Sequence, residues 1–293
     1  MAAIGIIGGG NLGANTAFFA AEKAVGDVRL YDVQEGVPIG KALDMMEAAP
    51  VRRYQHKVTG TNDLSDVIGT EVAIVAAGEK RSPGMKRSDL AGTNSAVVGP
   101  IAEALAGYAG VVIVATEPVD AMTALVVERS GISWSRVLGV GGVLDSLRLQ
   151  QAIAAELGVA PEDVAATVIG PHSDEMLILS RYTSVGGVPV EMLISRKRLE
   201  EIFDEVRGAG DTILQLAGRT SAYYGPAAAA TDLADAVIRD SKRIFSVSLM
   251  LSGQFGISGR ALSLPVVVTV AGIARVLEPQ LTPAEENALR SVG

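Results

Sequence analysis

Short apolar segments rich in β-branched residues recur along the first half of the chain, and polar, helix-forming stretches separate them. Continuous apolar strands that alternate with helices are typical of βαβ units in a parallel sheet covered on both faces. The pattern therefore predicts an α/β fold with a doubly wound, Rossmann-type parallel sheet. The predicted strands are Ala3–Ile7, Val28–Tyr31, Val72–Ala76, Val111–Ala115 and Val137–Val140.

Beyond residue 145 the pattern changes to longer helical stretches with strand-like segments between them. It predicts helices over Leu147–Leu157 and Leu199–Ala217, and strands over Ala166–Gly170, Met176–Ser180 and Pro265–Ala271. We therefore expect two domains, with the parallel sheet in residues 1–144 and a mixed α+β domain in residues 145–293. No internal repeat or linker separates them.

Composition excludes several classes of chemistry. The chain has no cysteine, which rules out disulfides and thiolate chemistry, and only His56 and His172 could move protons near neutral pH. A net charge of -8 without a basic run argues against nucleic acid. The uncharged segment 1–21 contains several glycines and asparagines, so we expect neither a signal peptide nor a membrane anchor, and a cytoplasmic protein.

A glycine-rich turn follows the first predicted strand. Gly8, Gly10 and Gly13 fit the spacing G-x-G-x-x-G, in which glycines permit a tight turn and bring a dinucleotide phosphate to a helix N-terminus. Asp32 ends the next strand, where its carboxylate would bind the ribose hydroxyls and repel a 2′-phosphate. The sequence predicts NAD as the cofactor, bound by Gly8, Gly9, Gly10, Asn11, Leu12, Gly13 and Asp32.

Further along, several polar motifs stand in a fixed order with this turn. They are the loop Arg81–Leu90, Asn94, the segment Val143–Arg148, the segment Gly170–Asp174 and the segment Ser221–Ala228. With these motifs the whole chain resembles the lactate/malate dehydrogenase family, most closely its bacterial malate dehydrogenases of lactate-dehydrogenase type.

The resemblance implies reversible, NAD-dependent oxidation of (S)-malate to oxaloacetate, a reaction of the tricarboxylic acid cycle. His172 would take the hydroxyl proton, and Asp145 would orient the imidazole. Arg148 would bind the C1 carboxylate, Arg87 would polarise the carbonyl, and Arg81 would meet the second carboxylate of a dicarboxylic acid.

The same resemblance assigns Asn94, Ala115 and Thr116 to the lining of the cofactor site. It implies no metal, a small dicarboxylic acid as substrate, and a homodimer or homotetramer.

Glu117 departs from the family pattern, which has Thr-Asn-Pro where this chain has Thr116-Glu117-Pro118. An ionised carboxylate only accepts hydrogen bonds, so it cannot replace an amide that donates to the substrate oxygen. One hypothesis is that Glu117 pairs with Arg87 or Arg148 and favours a substrate with an extra donor, such as an amino or hydroxyl group. A second interpretation is that its side chain turns away from the site.

Two alternatives to malate oxidation follow from these residues. The chain could oxidise another 2-hydroxy acid, either lactate-like or substituted, although an unpaired Arg81 facing a methyl group would be costly. It could also be a diverged paralogue that binds NAD with little turnover and serves as a sensor or a structural partner.

Overall fold

The first half of the chain alternates strands and helices, as the apolar pattern predicts. The computed structural model describes residues 2–82, 84–85, 89–218 and 220–292. The strands are β1 (Ala3–Ile7), β2 (Asp27–Tyr31), β3 (Val58–Thr61), β4 (Val72–Val75), β5 (Val111–Val114) and β6 (Val137–Gly139). The helices are α1 (Asn11–Glu22), α2 (Val37–Arg52), α3 (Ser65–Ile68), α4 (Leu90–Ala104) and α5 (Val119–Ser130). Of these six strands, β3 was not predicted, because two threonines and a glycine interrupt its apolar character.

These six strands form one parallel sheet in the order β3-β2-β1-β4-β5-β6. Alternate side chains of each strand enter the core on opposite faces. In β4, Val72 and Ile74 share a core cluster with Ala17 of α1, whereas Ala73 and Val75 pack with Val98 of α4. Burial on both faces explains why the strands are continuously apolar. Among the described helices, none is long and apolar enough to cross a membrane.

The second half extends the same sheet. Strand β12 (Ile244–Ser252) pairs antiparallel with β6, and β13 (Ser258–Thr269) and β14 (Gly272–Val276) follow it to complete nine strands. The sheet thus crosses residue 144, and the domain boundary predicted there stays a prediction. The elements are α6 (Gly141–Leu157), β7 (Val164–Ala165), β8 (Val168–Ile169), β9 (Leu177–Ile178), β10 (Ser184–Val185), β11 (Val188–Pro189), α7 (Arg196–Ala217), α8 (Tyr224–Ile238), β12 (Ile244–Ser252), β13 (Ser258–Thr269), β14 (Gly272–Val276) and α9 (Pro283–Ser291).

Several elements of this half have bounds that differ from the predicted ones. Helix α6 begins six residues before the predicted Leu147, because its first turn is buried on all sides and lacks an amphipathic pattern. The predicted strands Ala166–Gly170 and Met176–Ser180 shrink to the two-residue pair β8 and β9, and Gly170 has a φ of 87°. The predicted strand Pro265–Ala271 is the end of β13, which stops at Thr269.

The sheet topology determines where a site forms. The strand order reverses between β1 and β4, and at such a point the loops after neighbouring strands diverge to opposite faces and leave a crevice. The segments 8–13, 76–82 and 115–118 follow β1, β4 and β5 at this edge. The glycine-rich turn, Arg81 and Glu117 therefore come from segments that are distant in sequence but adjacent in the sheet.

Candidate active site

The turn between β1 and α1 leaves no room for side chains at two of its glycines. Gly8 has a φ of 110°, and a Cβ there would lie 2.6 Å from the backbone nitrogen of Ala77. A Cβ on Gly13 would lie 1.8 Å from the carbonyl oxygen of Gly8, so glycine lets α1 pack this closely against the turn. A Cβ on Gly10 would meet no atom within 4 Å, and Gly10 lines the open cleft. This geometry suits a phosphate approaching the N-terminus of α1.

Asp32 follows β2 directly, and its carboxylate is held against the glycine-rich turn. Its Oδ2 accepts a hydrogen bond from the backbone N–H of Gly9 at 2.6 Å, and its Oδ1 accepts one from Gln34 at 2.9 Å. The Asn62 side-chain amide donates to the backbone oxygen of Asp32 at 2.7 Å. Lys41 donates to the carbonyl oxygen of Gly9.

A cleft of about 870 Å³ runs from this turn to α6 and the loop that holds His172. It brings together most of the predicted site residues from both halves of the chain. Gly9, Gly13, Asn94 and Asp145 lie outside its lining, and Arg87 lies outside the described residues. The predicted residues in the lining are Gly8, Gly10, Asn11, Leu12, Asp32, Arg81, Ala115, Thr116, Glu117, Arg148 and His172.

Asn94 is fully buried on α4, and its amide group bonds to backbone atoms. Its Nδ2 donates to the carbonyl oxygen of Glu117 at 2.6 Å, and its Oδ1 accepts from the backbone N–H of Glu79 at 2.7 Å. The hydroxyl of Thr116 donates to the carbonyl oxygen of Ala77 at 2.7 Å. These bonds connect the loops after β4 and β5, so the structure places Asn94 beneath the cleft surface, where it fixes their backbone.

His172 and Asp145 form a buried pair at the base of the cleft. The imidazole Nδ1 lies 2.7 Å from Oδ2 of Asp145, and the two side chains are 2% and 1% exposed. Arg148, one turn further along α6, donates to the other Asp145 oxygen at 3.3 Å. Asp145 thus fixes which nitrogen of His172 points away from it, and Nε2 remains for a second partner.

Glu117 is that second partner. Its Oε1 lies 3.3 Å from Nε2 of His172, and its side chain is 32% exposed. The interpretation that Glu117 turns away from the site is therefore wrong. Its carboxylate occupies the position beside Nε2 where a reacting oxygen would have to approach.

Opposing effects act on the pKa of His172. Burial lowers the pKa, but the negative charges of Asp145 and Glu117 and their hydrogen bonds together raise it from 6.5 to about 10. The imidazole therefore holds its proton through neutral pH.

Among the described residues, no three His, Cys, Asp or Glu side chains are grouped so as to hold a metal ion.

Arg81 lines the same cleft, and its guanidinium already has an acidic partner. It is 8% exposed, and its Nη2 forms an ion pair with Oδ1 of Asp211 on α7. The hydroxyl of Ser221 donates to the backbone oxygen of Arg81 at 3.4 Å. The sequence did not indicate Asp211. Helix α7 carries several acidic residues, and nothing in their spacing distinguishes Asp211 from the others.

Asp120, in the first turn of α5, is a second residue that sequence reasoning missed. Its Oδ2 accepts a hydrogen bond from the backbone N–H of His172 at 2.8 Å, and its Oδ1 accepts one from the Ser248 hydroxyl at 2.5 Å. Burial raises the pKa of Asp120, against the effect of these two bonds. Asp120 thus fixes the backbone of His172. The available sequence signal was an acid two residues after the Thr116-Glu117-Pro118 turn.

The raised pKa of His172 predicts how the free protein titrates. With only two histidines in the chain, His56→Gln identifies the imidazole signals in a pH titration followed by NMR. We expect the pKa of His172 near 10, and we expect Glu117→Gln to lower it because one of the two neighbouring negative charges is lost. Because the pKa is raised in the folded chain, this pairing stabilises the fold fully below about pH 6.5 and loses its effect as pH rises through about 10. Titration of His172 near 6.5 would contradict this account.

Comparisons with known proteins agree with the geometry of both halves. The model of the lactate/malate dehydrogenase NAD binding domain matches residues 2–139, and that of the family's alpha/beta C-terminal domain matches residues 142–293. The chain is 43% identical to the malate dehydrogenase of Desulforudis audaxviator over 292 residues, which are 99% of this chain and 94% of that protein.

Solved structures show the same similarity. The malate dehydrogenase of Cryptosporidium parvum superposes with a TM-score of 0.96 at 36% identity, over 99% of this chain and 94% of that one. The lactate dehydrogenase of the same organism, solved with lactic acid and nicotinamide adenine dinucleotide, gives 0.94 at 35% identity, over 99% and 93%. The predicted α/β fold and NAD as cofactor are confirmed. The chain belongs to the lactate/malate dehydrogenase family.

Proposed function

We propose that this chain catalyses the reversible, NAD-dependent oxidation of (S)-malate to oxaloacetate. The observation that carries the proposal is that Arg81 and Arg148 line the same cleft as His172. Two guanidinium groups suit the two carboxylates of a dicarboxylic acid, since each can bind a carboxylate through two parallel N–H groups. A 2-hydroxy acid held between them would present its hydroxyl to the imidazole.

The residues around the glycine-rich turn fit NAD. Gly8 and Gly13 make the tight approach of strand and helix, Gly10 leaves the cleft open to a pyrophosphate, and the Asp32 carboxylate suits ribose hydroxyls and opposes a 2′-phosphate. When bound, the nicotinamide ring supplies the hydride acceptor for oxidation and the hydride donor for reduction.

Within this proposal His172 moves the proton. In oxidation the C2–H bond breaks and its electron pair leaves as hydride, while the hydroxyl proton passes to Nε2 and the C2–O bond becomes a carbonyl. Asp145 holds Nδ1 and stabilises the imidazolium that results. In reduction the protonated imidazole returns that proton. The role of Arg87 in polarising the carbonyl stays a prediction, because Arg87 lies outside the described residues.

Glu117 must give up its contact with Nε2 before a substrate oxygen takes that place. The Glu117 side chain is 32% exposed, although its Oε2 is buried, so it is the acid that can move away, whereas Asp145 is 1% exposed and stays. Departure of one negative charge lowers the pKa of His172 toward the range in which it exchanges protons at neutral pH. Glu117 remains compatible with a substituted acid that brings its own hydrogen-bond donor, and this contact favours such an acid as the second candidate substrate.

A binding protein without turnover and a lactate dehydrogenase both have less support. The intact His172–Asp145 pair argues against a paralogue without turnover, since a binding protein has no use for an imidazole held at a fixed orientation in the cleft. Arg81 argues against lactate, because a methyl group would leave its guanidinium without a substrate carboxylate.

Initial rates of NADH oxidation test the proposal. The acids to compare are oxaloacetate, pyruvate and 2-oxo acids that carry an amino or a hydroxyl group. We expect oxaloacetate to give the highest kcat/KM, and we expect His172→Ala to lower kcat by about 10²–10⁴-fold with NADH binding retained.

The matched control is His56→Ala, which removes the second histidine of the chain. His56 lies 3.4 Å from Asp27, at the end of β2 away from the cleft, and its loss should leave kcat unchanged. A higher kcat/KM for pyruvate, or turnover that survives His172→Ala, would contradict the proposal. A preference for an acid with an amino or hydroxyl group would instead support the substituted substrate that Glu117 suggests.

We further propose that the chain acts in the cytoplasm as a homodimer or homotetramer. Ile39, Leu43 and Val51 on α2 are 46%, 63% and 81% exposed, and their spacing places them on one side of the helix. Such an apolar stripe suits burial against a second copy. Light scattering should give two or four times the monomer mass, and a monomeric mass would contradict this.

The lack of cysteine suits a reducing compartment, which cell fractionation would test.

A further inference from the structure

The ion pair between Arg81 and Asp211 bears on substrate choice. Arg81 is almost buried at 9% side-chain exposure, whereas the Asp211 side chain is 64% exposed. Gly210, which precedes Asp211 in α7, lines the cleft, so the ion pair lies at the cleft wall. The Asp211 carboxylate therefore pairs with the Arg81 guanidinium, the group that is expected to bind the distal carboxylate of the substrate.

We propose that Asp211 is an internal competitor for Arg81 that the distal carboxylate of a dicarboxylic acid displaces. This inference rests on the proposed function, in which Arg81 binds that carboxylate. Asp211 thereby sets how strongly the enzyme distinguishes dicarboxylic from monocarboxylic 2-oxo acids.

The difference in exposure determines which partner can leave. A nearly buried guanidinium has little access to water and needs a negative partner in every state. The exposed Asp211 carboxylate regains hydration when it separates from Arg81, so its departure is inexpensive. The contact involves a single Asp211 oxygen, which is a weaker hold than the two-oxygen contact a carboxylate ligand can make.

The competitor changes the argument about monocarboxylic acids. Without Asp211, a substrate that ends in a methyl group would leave Arg81 buried and unpaired, which would strongly disfavour pyruvate. With Asp211 in place, pyruvate leaves the ion pair intact and avoids that cost. Oxaloacetate gains only the difference in binding free energy between its own contact with Arg81 and the contact of Asp211. The ion pair thus weakens the binding of oxaloacetate and reduces the preference for oxaloacetate over pyruvate.

Removal of the Asp211 charge tests the proposal directly. We expect Asp211→Asn to lower the KM for oxaloacetate by about three- to tenfold with little change in kcat, because the distal carboxylate no longer competes for Arg81. The kcat/KM for pyruvate should stay the same or fall, so the ratio between the two acids rises. Asp211→Glu keeps the charge and should behave like the unaltered chain.

Asp204→Asn is the matched control. Asp204 lies on the same helix, is 80% exposed and pairs with Arg207 at 3.0 Å, so the variant makes the same change in charge without touching Arg81. It should alter neither KM. Asp204→Asn should unfold at the temperature of the unaltered chain, whereas Asp211→Asn, which leaves Arg81 without its negative partner, should unfold at a lower temperature. A thermal melt measures both, and the kinetics are compared below the unfolding temperature of each variant.

Three results would overturn the proposal. An unchanged or raised KM for oxaloacetate in Asp211→Asn would show that Asp211 does not compete with the substrate. An equal rise in kcat/KM for oxaloacetate and pyruvate in Asp211→Asn would show that the change in net charge causes the effect. An equal fall in the KM for oxaloacetate in Asp204→Asn would show the same. Arg81→Gln distinguishes these failures from failure of the proposed function, since equal losses for both acids in that variant would show that Arg81 does not bind the distal carboxylate.

Discussion

The contact between the imidazole of His172 and the carboxylate of Asp145 is the interaction on which the rest of the site depends. Both side chains are almost fully buried, and removal of one partner from such a pair costs on the order of 3–5 kcal/mol because a buried charge loses its nearest partner. The pair connects α6 to the loop after β8, and Asp120 holds the backbone of that loop from α5. Three elements from both halves of the chain therefore determine one imidazole orientation, which leaves Nε2 as the nitrogen available to a reacting oxygen.

Three cationic groups of the site are each paired with an acid before any substrate arrives. Arg81, Arg148 and protonated His172 are matched by Asp211, Asp145 and Glu117. The side chains of Asp211 and Glu117 are 64% and 32% exposed, whereas that of Asp145 is 1% exposed. On the proposed function, a dianion entering the cleft replaces negative charges that the chain already supplies. Such an exchange would allow a protein of net charge -8 to bind a dicarboxylate.

The sequence predicted the parts of this arrangement that leave a local pattern. Strands buried on both faces are continuously apolar, and Gly8, Gly13 and Asp32 stand at the spacing that their contacts require. The start of α6 was missed because a helix end buried on all sides has no amphipathic period. Asp120 and Asp211 were missed for another reason, since their partners lie 52 and 130 residues away in sequence and only the folded sheet brings them together. The position of Glu117 against Nε2 needed the structure for the same reason.

The most direct test of this account is a crystal structure of the protein with NADH and an unreactive dicarboxylic analogue of oxaloacetate. The account predicts that the C2 oxygen of the analogue takes the place of Glu117 beside Nε2 of His172, that its distal carboxylate takes the place of Asp211 on Arg81, and that Asp145 keeps its contact with Nδ1. An analogue bound while Glu117 and Asp211 retain their present partners would contradict it.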